Sequence, residues 1–216
     1  MKALLFGSIG TLIETSNIQR ESFNQAFKEI GLNWYWDHKS YKKLLKKSGG
    51  TKRIEDFAKK NNTKVDAKKI RERKTLIFNE KLRSCVTTPR DGVLDILEYA
   101  RRHNIKTGLV TSTTTENIDS VFKSLNKKIV REDFDFIGNN SLVKMPKPEP
   151  DIYIKAVNDL EVHPSECLAI EDSVESALSA YKAKIKCVAF PGLSHIDDDF
   201  SLCSKNFEKL DISIFI

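Results

Sequence analysis

Several residues that could do chemistry stand where apolar runs of the chain pass into loops. Thr111 and Ser112 follow one run, Glu171 and Asp172 close another, and Lys147 lies in a proline-rich loop. By residue type, hydroxyl and ammonium groups donate hydrogen bonds to anions, and adjacent carboxylates can hold a divalent cation. Each residue also has a simpler interpretation, because threonines often cap helices and lysines are mostly solvated. Their placement in the fold decides between the two.

A sheet is needed to bring these distant loops together. Five short apolar runs are typical of buried parallel strands, and helical periodicity separates most of them, which predicts a Rossmann-like, doubly wound α/β sheet. Ligands of such sheets bind outside the carboxyl ends of the strands, so the loops after the first, second and fourth runs should meet at one site. The predicted strands cover Ala3–Phe6, Thr107–Val110, Phe134–Ile137, Leu168–Ile170 and Cys187–Phe190, and the predicted helices cover Gly92–Arg102, Glu116–Leu125, Asp151–Leu160 and Val174–Lys182.

Residues 16–85 break this alternation, because they show helical stripes and no convincing strand. The sequence therefore predicts an α-helical cap domain over 16–85, inserted into a core domain made of 1–15 and 86–216. The stripes contain Phe23, Ala26, Phe27 and Ile30, then Ile54, Phe57 and Ala58, and then Ile70, Ile77 and Leu82.

The positive charge of the chain is concentrated in this inserted segment. The 216 residues carry a formal charge of +6, and residues 37–83 alone hold 17 Lys and Arg against 6 Asp and Glu. A surface that binds single-stranded nucleic acid would also interleave exposed aromatic side chains for base stacking. The one aromatic cluster, Trp34-Tyr35-Trp36, is expected in the core of the segment. We therefore expect no nucleic-acid partner.

The cysteines and histidines show no metal-site or disulfide pattern. The four cysteines lie apart without a CxxC pair, and the four histidines have no ligand-like spacing. Reduced thiols in the cytoplasm are the expected state. The opening Met-Lys-Ala-Leu-Leu-Phe is too short for a signal peptide or a membrane span. We expect a cytoplasmic monomer with no membrane partner.

Four short motifs occur in order at the predicted strand ends and in the loop before the fourth strand. They are Gly7-Ser8-Ile9-Gly10-Thr11-Leu12, Val110-Thr111-Ser112-Thr113, Lys147-Pro148-Glu149-Pro150 and Ile170-Glu171-Asp172-Ser173. The set resembles the haloacid dehalogenase superfamily of hydrolases over essentially the whole chain. Within the inserted segment, Trp34-Tyr35-Trp36-Asp37, Ser48-Gly49-Gly50-Thr51-Lys52-Arg53 and Lys74-Thr75 resemble the CbbY and β-phosphoglucomutase-like branch in particular.

The resemblance implies a catalytic aspartate pair that this sequence lacks. In the family, an aspartate after the first strand attacks phosphorus, and a second aspartate two residues later donates and then removes a proton. Gly7 and Ile9 occupy these two catalytic positions. Glycine has no nucleophile and isoleucine cannot transfer a proton. Because Gly10, Thr11 and Leu12 still match the motif, a shifted alignment does not explain the loss.

The other family positions are retained. The resemblance implies that Thr111 and Ser112 bind phosphoryl oxygens, that Lys147 neutralises the phosphate, and that Glu171 and Asp172 help to hold Mg²⁺. Without the first aspartate, magnesium should bind weakly. The expected partner is inorganic phosphate or a small phosphorylated metabolite such as a sugar phosphate.

The resemblance also implies a substrate-binding set that includes cap residues. Glu14, Tyr41, Arg53 and Lys74 fall where CbbY-like proteins contact a sugar bisphosphate. Two departures weaken this inference: the cap motif reads Gly-Gly-Thr-Lys-Arg, and a glycine expected after the fourth strand is replaced near residues 175–176. Most paired lysines of the segment are expected to solvate helices. They are Lys42, Lys43, Lys46, Lys47, Lys59, Lys60, Lys68 and Lys69.

Three classes of function remain open at this point. The first is a sugar-phosphate phosphatase homologue that binds its ligand but is catalytically impaired, because both carboxylates are lost and each performs a separate step. The second is an active magnesium-dependent phosphatase in which Ser8 or a metal-bound water attacks. Strand alternation should point Ser8 away from the site, which disfavours its use as a nucleophile. The third is a binding module for nucleic acid or protein, with salt-sensitive affinity as its signature.

Overall fold

The computed structural model describes residues 1–45 and 49–215 of the chain. The chain divides into two compact units: the core unit, Met1–Glu14 with Val86–Ile216, and the helical unit, Thr15–Cys85. Within the described residues, no helix is long and apolar enough to cross a bilayer.

The core unit is built on one parallel sheet of five strands. Its spatial order is β3-β2-β1-β4-β5, so that β2 and β4 flank the first strand on either side. All four residues of β1 are fully buried, which explains their uninterrupted apolar character. This topology confirms the predicted doubly wound α/β class. The strands are β1 (Ala3–Phe6), β2 (Lys106–Leu109), β3 (Phe136–Ile137), β4 (Cys167–Glu171) and β5 (Lys186–Ala189).

Eight α-helices are present in the described residues, four in each unit. The helical unit contains α1 (Ser16–Glu29), α2 (His38–Leu45), α3 (Gly50–Lys60) and α4 (Ala67–Ser84), and the core unit contains α5 (Val93–Arg102), α6 (Thr115–Ser124), α7 (Asp151–Asp159) and α8 (Val174–Lys182). Short 3₁₀ turns occur at Arg131–Asp133, Asn140–Leu142, Pro164–Glu166 and Ile212–Phe215. Two of the helices have a hydroxyl side chain as their N-cap: Thr114 caps α6 and Ser173 caps α8.

The helical unit has its own aromatic core. Trp36 is fully buried between Phe23 and Phe27, with ring centroids 4.8 and 4.7 Å away. Apolar residues of α3 and α4 complete this cluster. The expected stripes of these helices therefore do form a core.

Two residues that were predicted to lie in the core of the helical unit are exposed instead, so the prediction is wrong for them. Ile30 is 49% exposed, because α1 ends at Glu29 and the helical spacing does not continue. Tyr35 is 70% exposed between the more buried Trp34 and Trp36, since the extended backbone here alternates its side chains. The third predicted strand is also shorter than expected: residues 131–133 form a turn, and β3 begins only at Phe136.

Most of the paired lysines are solvated as expected. Lys43, Lys59, Lys60, Lys68 and Lys69 are exposed, and Lys42 is half-buried. Lys46, Lys47 and Ser48 lie outside the described residues.

Candidate functional site

A surface cavity of about 250 Å³ opens at the carboxyl ends of β1, β2 and β4. Loops from these three strands meet there with the segment that carries Lys147, as expected where the strand order reverses around β1. The predicted site residues that line this cavity are Gly7, Ile9, Thr111, Ser112, Lys147, Glu171 and Asp172. Ser8, Thr113, Glu175 and Ser176 complete its lining.

The side-chain space at position 7 is filled from two sides. A Cβ atom added to Gly7 would lie 2.5 Å from Oε2 of Glu171 and closer still to Oγ1 of Thr11. Thr11 and Glu171 are both buried, and the Gly7 N–H donates to the Ile170 carbonyl at 3.0 Å, which fixes the backbone. Position 7 therefore offers no nucleophile, and the terminal oxygens of Glu171 and Thr11 occupy the space where a side chain would begin.

Position 9 brings an alkyl group to the cavity and no titratable atom. Ile9 is half-buried and forms an isolated bridge with Ile13. Ser8 also lines the cavity. β1 ends at Phe6, so the strand alternation on which the expected direction of the Ser8 side chain rested does not extend to residue 8. A hydroxyl-bearing residue is thus present at the site.

Glu171 is the acceptor of a buried polar network. Lys147 forms an ion pair with Oε1 of Glu171 and donates a second hydrogen bond to the Val110 carbonyl at 2.9 Å. The hydroxyl of Tyr153, on α7, donates to the same carboxylate oxygen. Burial, and then the charge of Glu171, hold the pKa of Tyr153 well above its usual value. Lys147 is therefore bound to a protein carboxylate, and Tyr153 is a partner that sequence reasoning missed.

Asp172 follows Glu171 in the chain and lies close to the loop after β1. Its Oδ1 accepts a long hydrogen bond of 3.5 Å from the Thr11 hydroxyl. Burial, and then repulsion from Glu171, raise the pKa of Asp172 to about 6. Gly10 has a φ of +90°, and an added Cβ would collide with the Asp172 carboxylate. The close approach of this carboxylate therefore requires glycine at position 10.

The loop after β2 presents hydroxyl groups at the cavity. Thr111 is buried, and its Oγ1 accepts from the Thr113 N–H at 3.2 Å. Asn117 donates to the Thr113 hydroxyl at 2.6 Å, which holds the loop against the first turn of α6. Thr114, not Thr111, caps α6 by accepting from the Asn117 N–H. The simple interpretation of Thr111 as a helix cap is therefore wrong.

Glu14 does not line the cavity, although its Oε2 and the Oδ2 of the cavity residue Asp172 both lie near Gly192. Its Oε2 accepts from the Leu193 N–H at 2.7 Å. Nearby, Arg90 donates to the carbonyls of Gly10, Phe190 and Pro191 and so ties the loop after β1 to the loop after β5. Arg90 was not among the predicted site residues.

The other three predicted binding residues, Tyr41, Arg53 and Lys74, cluster in the helical unit. Tyr41 is buried on α2, with the Arg53 guanidinium 6.0 Å from its ring centroid. Arg53 also donates to the Leu44 carbonyl at 2.9 Å. Lys74 is buried, hydrogen-bonds to Gln19, and lies 5.0 Å from the ring of Phe23.

Positive charges repel one another in this cluster. Burial, followed by the charges of Arg71 and Arg53, holds the pKa of Lys74 well below its usual value. Burial also lowers the pKa of Arg71, and Arg53 lowers it further. We call Arg53, Arg71 and Lys74 the cationic cluster. A bound anion would offset the repulsion among these three charges.

Glu171 and Asp172 are the two cavity carboxylates to which the family resemblance assigns magnesium. Within the described residues, no group of three or more His, Cys, Asp or Glu side chains is placed to hold a metal ion. Glu171 and Asp172 are adjacent, but the Glu171 carboxylate already accepts from Lys147 and Tyr153. Mg²⁺ usually binds through one or two carboxylates and keeps several waters, and the pair here has lost part of that capacity because Glu171 is shared with Lys147 and Tyr153.

Comparisons with known proteins identify the family of the chain. Residues 9–190 match the model of the haloacid dehalogenase-like hydrolase family. The chain belongs to this family of hydrolases.

Its similarity is to the CbbY branch. Protein CbbY of Rhodobacter capsulatus is 32% identical over 204 residues, which cover 93% of this chain and 90% of that protein. A crystal structure of CbbY from Rhodobacter sphaeroides with phosphate is 30% identical and superposes with a TM-score of 0.85, covering 97% of this chain and 94% of that one. A mutant of the same CbbY, bound to xylulose 1,5-bisphosphate, gives the same values. These findings confirm the predicted resemblance.

Proposed function

We propose that this chain is a CbbY-type phosphatase homologue that binds phosphate or a phosphorylated sugar and is catalytically impaired. The observation that carries the proposal is the state of position 7. Gly7 has no nucleophile, and the carboxylate of Glu171 and the hydroxyl of Thr11 occupy the space next to it. Loss of a covalent nucleophile or a general acid commonly costs several powers of ten in rate. Because Ile9 stands at the second position, proton transfer lacks its carboxylate just as nucleophilic attack does.

Ligand binding depends less on these two positions than catalysis does. The CbbY relative binds phosphate and, as a mutant, xylulose 1,5-bisphosphate. In this chain the cationic cluster does not involve positions 7 and 9. We propose it as the principal phosphate site, because Lys147 is already paired with Glu171 and lends less positive potential to Thr111 and Ser112. The proposal includes weak magnesium binding and a cytoplasmic monomer.

A phosphatase assay with Mg²⁺ tests the impairment. The substrates are a panel of phosphosugars that includes xylulose 1,5-bisphosphate, and the companion protein is the double variant Gly7→Asp/Ile9→Asp. We expect negligible turnover from the natural sequence. Turnover of about 1 per second or more, in the usual enzyme range, would overturn the proposal. Each single variant should stay inactive, because attack and proton transfer need separate carboxylates.

The alternative is an active phosphatase with an atypical nucleophile, which the position of Ser8 at the cavity favours. A Ser8→Ala variant separates the two cases. If the natural chain hydrolyses a phosphosugar and Ser8→Ala abolishes that activity, Ser8 is the nucleophile. If the activity survives Ser8→Ala but needs Mg²⁺, a metal-bound water is the attacking group.

A further inference from the structure

Two thiols meet beside the last strand of the core unit, outside the cavity described above. Cys187 lies in β5, and Cys203 lies in a segment that returns alongside that strand. Main-chain hydrogen bonds hold the two segments together, because Ser204 N–H donates to the Cys187 carbonyl and Ala189 N–H donates to the Lys205 carbonyl, both at 2.8 Å. Cys203 packs against the apolar cluster that contains Cys187, the Cys187 thiol donates to the Val188 carbonyl at 3.4 Å, and the two thiols lie close enough for each to shift the pKa of the other.

The two thiols differ in access and in acidity. Cys187 is buried, whereas Cys203 is half-buried and lines a surface depression of about 450 Å³ formed by residues 198–206. The neighbouring Cys187 thiol lowers the pKa of Cys203, while the Cys203 thiol, and then burial, raise the pKa of Cys187. The accessible thiol is therefore also the one that ionises more readily, and thiolates are the reactive form.

We infer that Cys187 and Cys203 form a peroxide-reactive dithiol that closes to an intramolecular disulfide. The Cys203 thiolate attacks one oxygen of a hydroperoxide, the O–O bond breaks, and the leaving oxygen departs as water or an alcohol after protonation. Cys203 is then a sulfenic acid. The Cys187 sulfur attacks Sγ of Cys203 and loses its proton, and the sulfenic oxygen leaves as water. Two thiols are oxidised by two electrons and the peroxide is reduced by two.

The other cysteines are less suited to this chemistry. Burial raises the pKa of Cys167 to about 11, and its thiol donates to the His163 carbonyl. The Cys85 thiol donates to the Leu82 carbonyl at the end of α4. Among the described residues, Cys187 and Cys203 are the cysteines that main-chain hydrogen bonds hold on adjacent segments.

The sequence makes the disulfide easy to detect. Lys186 precedes Cys187, and the next basic residue is Lys205, so trypsin releases both cysteines in one peptide. The full chain is treated with hydrogen peroxide, its remaining thiols are alkylated, and the digest is analysed by mass spectrometry. We expect this peptide to lose two hydrogens and to carry no alkyl group, with reversal by dithiothreitol. Further cleavage after Phe200 by chymotrypsin should leave its two halves linked.

Matched variants locate the bond. Cys167→Ser and Cys85→Ser should leave the modified peptide unchanged, and Cys203→Ser should abolish it. The inference is overturned if Cys203 of the natural chain ends as a sulfinic acid or remains alkylatable while the protein stays folded by circular dichroism. It is also overturned if Cys85 or Cys167 is oxidised before Cys203. These outcomes require only the natural sequence, so a variant that fails to fold does not decide the test.

Discussion

Lys147 and Glu171 form an ion pair at the cavity with side-chain exposures of only 9% and 1%. The Tyr153 hydroxyl and the Val110 carbonyl complete the hydrogen bonding around the pair. Lys147 was expected to neutralise a bound phosphate. In this site, which has Gly7 in place of the aspartate, Lys147 instead neutralises the carboxylate of Glu171. A residue expected to serve ligand binding therefore also contributes to the stability of the core unit.

Removing the lysine should destabilise the fold, because Glu171 would be left buried and unpaired. We expect Lys147→Ala to lower the free energy of unfolding by about 3–5 kcal/mol, the usual cost of breaking a buried pair. Lys155→Ala is the matched control, since Lys155 pairs with Asp159 on the surface and exposed pairs contribute less than about 1 kcal/mol. Urea denaturation of the three proteins measures both values. Equal effects in the two variants would contradict a structural role for the buried pair.

A side chain at position 7 should be costly even without charge. Gly7→Ala places a Cβ against Glu171 and Thr11, and we expect a loss of about 1–3 kcal/mol from overpacking. Gly7→Asp should lose more, because it adds a third carboxylate beside Glu171 and Asp172. Thermal denaturation with and without Mg²⁺ distinguishes the two causes. The cation should restore part of the stability of Gly7→Asp and none of that of Gly7→Ala. If Gly7→Ala left the stability of the protein unchanged, the space beside Gly7 would be free to accept a side chain.

The sequence predicted the parts of this site that are local to strand ends. The predicted strand at Ala3–Phe6 matches β1, and the loops after β1, β2 and β4 do converge on one cavity. These predictions succeeded because apolar runs and the parallel order of an α/β sheet constrain where loops must lie.

The contacts that decide the chemistry were not predictable from the same pattern. No motif or spacing in the sequence singled out Tyr153, Arg71 or Arg90. Their roles depend on which distant groups they meet, such as Glu171 for Tyr153 across 18 residues of chain. Sequence periodicity predicts which face of a helix or strand a residue lies on and whether it is buried, but it does not predict which distant side chain the residue contacts.

Magnesium affinity should be weak in the natural chain and stronger in the double variant Gly7→Asp/Ile9→Asp. The natural site offers Asp172 and a Glu171 carboxylate shared with Lys147, whereas the variant adds two carboxylates, and hard cations bind more tightly as anionic oxygen ligands increase. Isothermal titration calorimetry with Mg²⁺ measures both proteins. Micromolar binding of Mg²⁺ by the natural chain would contradict this prediction, because it would show that Glu171 and Asp172 are sufficient for tight metal binding.

Anion binding should depend on the helical unit more than on the cavity. The cavity sets the carboxylates of Glu171 and Asp172 beside Lys147, and so repels phosphate in the absence of metal. In the cationic cluster, neighbouring positive charges help to lower the pKa values of Arg71 and Lys74, and a bound anion would offset that repulsion.

We therefore expect Arg53→Ala to weaken the binding of inorganic phosphate by about 1–3 kcal/mol, the usual contribution of a charge-assisted hydrogen bond. Lys147→Ala should change the affinity much less. Lys59→Ala is the control for net charge, because Lys59 is exposed on the same helix as Arg53 and should have little effect. Calorimetry at constant ionic strength, with folding checked by circular dichroism, gives the three affinities. If Lys147→Ala removes phosphate binding and Arg53→Ala does not, the cradle of Thr111 and Lys147 is the anion site, and the ion pair with Glu171 must open to admit the ligand.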